Sequence, residues 1–86
     1  MDQNEKVLLK RNLLFFAESK NKALMSQPGK VALSKQIIKK INGMIDHGEI
    51  QSMLNVEAAY DFCFEKMQED REKLDDYAKE ISTFLS

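Results

Sequence analysis

The sequence predicts an all-α protein: a small antiparallel three-helix bundle with a long C-terminal helix and room for a short fourth helix at 49–54. Three observations carry this reading. Hydrophobic residues make up 43 % and charged residues 31 %, with three Gly and one Pro, a balance that suits packed helices better than a disordered tail or a turn-rich β domain. Tyr60, Met67, Leu74 and Ile81 stand seven residues apart, and Cys63, Asp70, Tyr77 and Phe84 repeat that spacing with an offset of three, which is an a/d heptad pattern. Strong turn punctuation falls at Ser26-Gln27-Pro28-Gly29, where a proline without an amide donor precedes a glycine free to take positive φ. At 86 residues, the chain is long enough for one domain, 1–86.

Helix one is expected over about 3–25. Asp2-Gln3-Asn4-Glu5 has the form of a capping box, in which Asp2 accepts from the Glu5 amide. Leu9, Leu13, Phe16 and Leu24 share one helical face, while Val7, Leu14 and Ala17 widen the stripe enough to touch more than one neighbour. Lys20 and Lys22 sit where the helix dipole favours cations. The segment Lys6 to Leu24 also has the look of an interfacial membrane helix, but the wide stripe, the lack of Trp and the turn at 26–29 favour a core helix.

Helix two is expected over 30–46, with Val31, Ser34, Ile38, Ile41 and Ile45 on one face, Ile37 and Met44 beside it, and Gly43 as an internal cost of about 1 kcal/mol relative to Ala. His47-Gly48 reads as its end, with Gly48 at C′. Ile50, Met53 and Leu54 would form one apolar turn plugging an end of the bundle, and Asn55 is a good N-cap for the last helix. That helix, over 56–85, would be about 45 Å long against about 35 Å and 25 Å for the others, so its C-terminal end should outrun its cover.

Charge is divided sharply along the chain. Residues 1–40 hold nine Lys or Arg against three acidic residues, a net of +6, and residues 41–86 hold four against eleven, a net of −7. The simplest expectation is that the basic half folds onto the acidic half. Eleven of the thirteen basic residues are Lys, which favours delocalised phosphate attraction over bidentate base reading.

Several chemistries find no support in the sequence. Cys63 lies on the heptad stripe and His47 at a helix end, with no third group marked to orient a base, so no enzyme is expected. The acidic residues of the last helix lack the Glu-x-x-His pairs of a di-metal bundle and any EF-hand loop, so no metal or cofactor is expected. The interrupted N-terminal apolar residues make no secretory leader, no run suffices for a membrane span, and the lone cysteine suits a reducing compartment, so a cytoplasmic location is expected. The leading functional expectation is a small protein-interaction module of regulator, inhibitor, immunity or chaperone type, with a homodimer as one form. Its contact surface would be Asp70, Leu74, Tyr77, Ile81, Phe84 and Leu85, docking a protein partner by a helix face. Asp70 either drifts out of the seam or sets register against a lysine. The alternative is a nucleic-acid-binding regulator that uses Lys30, Lys35, Lys39 and Lys40.

Overall fold

A computed structural model describes residues 2–22 and 28–85. The protein is an all-α antiparallel bundle, with α1 (Gln3–Asn21), α2 (Pro28–Asp46), α3 (Met53–Met67) and α4 (Leu74–Leu85). There is no strand among the described residues.

Each helix boundary has a chemical cause. The Asp2 carboxylate accepts from the Glu5 amide at 2.9 Å, as the capping box requires. Helix α2 starts at Pro28, two residues before the expected start, because the first helical position needs no amide donor and a fixed φ suits it. The rest of the turn expected at 26–29, and Leu24, lie outside the described residues. Gly48, at φ 77°, closes α2: its amide donates to the Ile45 carbonyl at 3.1 Å and the Glu49 amide to the Met44 carbonyl at 2.9 Å, the two bonds of a Schellman end. Residues 47–52 form this turn and an irregular connection, so the short helix considered for 49–54 does not occur there. Of the apolar turn expected from Ile50, Met53 and Leu54, Ile50 is fully buried and Met53 half-buried, but Leu54 stands in the first turn of α3 facing outward. Ser52, not Asn55, caps α3 and accepts from the Asn55 amide at 3.2 Å.

The long helix expected over 56–85 is two helices folded back on each other. After Met67 the chain turns through Gln68, Glu69 and Asp70, then makes one 3-10 turn over Arg71–Lys73 before α4. Asp70 takes an extended conformation and its carboxylate accepts from the Glu72 amide at 3.0 Å. It is a capping residue, neither a drifting seam position nor a register pin. A straight rod would leave Leu74, Tyr77, Ala78 and Ile81 beyond the reach of helices about 28 Å long. Folding back covers that stripe with α3 and α2.

Helices α2 and α3 form the middle of the bundle. Helix α1 packs on both from one side, and α4 on both from the other, since a single groove between two helices has room for one more. Tyr60 is at the centre of the core, fully buried, with its ring edge-to-face on Phe16 of α1 at 5.6 Å and stacked near Phe64 at 5.9 Å. Its hydroxyl lies 2.7 Å from the Ser34 hydroxyl of α2, a buried hydrogen bond. Leu9, Leu13 and Ala17 are buried in α1, but the width of its stripe has another cause than the one expected: Val7 and Leu14, with Leu8 and Phe15, face outward.

Two stability outcomes follow from these positions. A Cβ added at Gly43 meets nothing within 4 Å, so Gly43→Ala should stabilise by about 0.5–1 kcal/mol, whereas Gly48→Ala should cost about 1–2 kcal/mol for its left-handed backbone. Urea denaturation of both variants measures the contrast. Ser34→Ala should cost about 1–3 kcal/mol by leaving the Tyr60 hydroxyl buried without this partner, and adding Tyr60→Phe should recover part of that loss. A double-mutant cycle by the same method reads the coupling.

Candidate docking groove

The turn at 68–70 makes α3 and α4 a hairpin whose two helices leave a groove at the end remote from the turn. Leu54, Ala58 and Phe62 of α3 face Ile81, Thr83 and Phe84 of α4 across a space of about 800 Å³. Its floor is apolar. Leu54 is 75 % exposed and Phe84 90 % exposed at its mouth, while Ile81 is buried at its base. Toward the turn, Phe62 meets the Tyr77 ring edge-to-face at 6.3 Å, which closes the groove.

The electrostatics of the closed end are acidic. Burial pushes the Tyr77 phenol up, and the carboxylates of Asp70, Glu69, Glu80 and Asp76 push it further in the same direction, so four negative charges act on one hydroxyl. Two cations also stand near the groove: Lys79 lines it, and Lys66 sits 5.9 Å from the centre of the Phe62 ring.

The residues expected to form one contact surface divide. Ile81 and Phe84 line the groove and Tyr77 adjoins it through Phe62. Leu74 faces the other way, toward Lys39, Lys40 and His47 of the α2 end. Asp70 is taken up in the turn, with Lys73 3.9 Å from its carboxylate. The Leu85 side chain lies outside the described residues. The α3 wall, Leu54, Ala58 and Phe62, was not legible as a partner of the α4 residues, because a straight helix would place it on the far end of the same rod.

The four lysines of α2 do not share a face. Lys40 pairs with Asp75 of α4 at 2.5 Å and holds that carboxyl below its usual range. Lys35 and Lys39 lie one turn apart on the exposed side, and Lys30 lies about half a turn of rotation from Lys39. Cys63 is buried, and burial pushes its thiol up to about 11. His47 is exposed in the turn after α2. No group of three His, Cys, Asp or Glu side chains suited to a metal ion occurs among the described residues, and no helix among them is long and apolar enough to cross a membrane. Comparison with protein-family models, curated proteins and solved structures returned no match.

The thiol supplies a pH test. An unfolded Cys63 ionises around its ordinary value of 9.0 while the folded thiol keeps its proton to about 11. The unfolded chain therefore releases its proton first, and stability should fall as pH rises through that interval, by up to about 3 kcal/mol. Burial shifts Tyr60 the same way. Denaturation midpoints followed from neutral to alkaline pH should show the fall, with a smaller slope in Cys63→Ala.

Proposed function

We propose that the protein is a non-enzymatic interaction module that takes an amphipathic helical segment of a protein partner into the groove between α3 and α4. The observation that carries this reading is the exposure of Leu54 and Phe84 at the mouth of an apolar groove in a chain small enough that most of its large apolar side chains are needed inside. A helix laid there would place anchors at i, i+3 and i+4 against Phe62 and Ile81. The carboxylates around Tyr77 favour a partner with a basic flank, and they would speed its encounter more than they would tighten its binding. A buried thiol raised to about 11 is a poor nucleophile, which supports a binding role over thiol catalysis. The pairing of Lys40 with Asp75 and the position of Lys30 about half a turn of rotation from Lys39 leave Lys35 and Lys39 as the lysines of α2 that share an exposed face, which supports a protein partner over nucleic acid. A lone cysteine, free and buried, accords with the cytoplasm as the place of action.

The test uses the two exposed anchors, so that the core is left alone. A tagged Leu54→Asp, Phe84→Asp variant should unfold at the same temperature as the wild type yet lose, by at least tenfold in retained amount, the protein that wild-type bait captures from source-cell extract. Equal capture by the two baits would sink the groove as the docking site. Raising salt should slow association with the captured partner, measured by surface plasmon resonance, while altering dissociation little.

A further inference from the structure

Helix α1 carries a second apolar face, opposite the one in the core. At about 100° per residue, positions 7, 11, 14 and 18 follow one line along the helix, with 8 and 15 beside it, while Leu9, Leu13 and Ala17 lie on the far side and are buried. Val7, Leu8, Leu14 and Phe15 are between 45 % and 63 % exposed. Arg11 and Glu18, both exposed, complete the line. No other described helix covers this face, because α2 and α3 occupy the opposite side of α1.

We infer that this face binds the same face of a second copy of the chain, with the two α1 helices antiparallel. The charges select both occupant and direction. With a two-fold axis passing between Leu14 and Phe15, Arg11 of each copy meets Glu18 of the other, Leu14 lies on Phe15, and the aliphatic stem of Lys22 covers Val7. A parallel pairing would stack Arg11 on Arg11 and Glu18 on Glu18, and like charges at a seam oppose it. A lipid surface fits worse, since helices that lie in a bilayer interface keep charged residues off the apolar face, and here one of each sign stands in its midline. The inference is independent of the α3–α4 groove, which is on the other side of the α2–α3 pair and stays open in such a dimer.

Sedimentation equilibrium of the full chain across micromolar to millimolar concentrations tests this. Wild type should reach twice the monomer mass, as should Leu54→Asp, Phe84→Asp, whereas Leu14→Asp, Phe15→Asp should stay monomeric while still melting cooperatively, a few degrees below the wild-type temperature measured at high dilution. Arg11→Glu and Glu18→Arg should each weaken association by about tenfold or more, and the two together should restore it. A wild type that stays monomeric throughout, a dimer lost on changing Leu54 and Phe84 in place of Leu14 and Phe15, or a double charge swap that fails to restore association would each overturn the proposal. Sedimentation of wild type with phosphatidylserine vesicles, abolished by Leu14→Asp, Phe15→Asp in a chain that is monomeric in solution, would assign the face to membranes and overturn it as well.

Discussion

The hydrogen bond between Ser34 and Tyr60 is the constraint on which the arrangement of the bundle turns. Apolar packing is tolerant of register, since a helix that slides by one turn still buries methyl groups. A phenol hydroxyl at the centre of a core is not tolerant, because leaving it without a partner costs more than the bond itself contributes. Tyr60 is fully buried and Ser34 is the facing hydroxyl on α2, so α2 and α3 have a preferred axial position. The same ring rests on Phe16, which extends that preference to α1. Three helices are thus positioned by one side chain.

Electrostatics act at the margin of that arrangement, where the helices meet water. Lys10 pairs with Asp46, Lys20 with Asp61 and Lys40 with Asp75, each pair joining a lysine of the basic half to an aspartate of the acidic half across two different helices. Lys6 adds a bond of 2.9 Å to the Asp46 carbonyl at the end of α2, where the chain presents oxygens that the helix itself cannot satisfy. Lys10 holds the Asp46 carboxyl below its usual range. Exposed pairs of this kind contribute little each, and their use is in discriminating between ways of stacking four helices. Three of the nine basic side chains of residues 1–40 are met in this way by the acidic half, and four carboxylates of that half, Asp70, Glu69, Glu80 and Asp76, act on Tyr77.

What could be read from the residues depended on whether the signal was local. The caps at Asp2 and Gly48 were legible because each is a short-range demand of the backbone, and the inner faces of α1 and α2 in part because burial repeats with the helix period: Ser34, Ile41 and Ile45 are buried as expected, whereas Val31 and Ile38 are half-buried and Leu33, Ile37 and Met44 complete the inner face of α2. The break after Met67 was not, because the heptad phase of Tyr60, Cys63 and Met67 continues unbroken through Leu74, Tyr77 and Ile81. Periodicity reports which side of a helix is buried and is silent on whether the axis continues. The polar run Gln68-Glu69-Asp70, ending in a good cap, was the available signal, and without Gly or Pro it is a weak one. The groove was half legible for the same reason: Ile81 and Phe84 belong to the stripe, whereas Leu54 and Phe62 join them only after the hairpin closes.

The order in which the helices adjoin has a kinetic consequence. Consecutive helices are neighbours throughout, α1 with α2, α2 with α3 and α3 with α4, and the other well-developed helix contacts among the described residues, α1 with α3 and α2 with α4, skip a single helix. Little chain must be closed into loops before contacts begin to compensate for the lost entropy. Such low contact order belongs to chains that fold on the order of microseconds to milliseconds. The hairpin of α3 and α4 is closed by six residues, 68–73, the same number that separates α2 from α3. It zips from that turn outward, so Phe62 and Tyr77 can meet early while Leu54 and Phe84, at the open end of the groove, come together last.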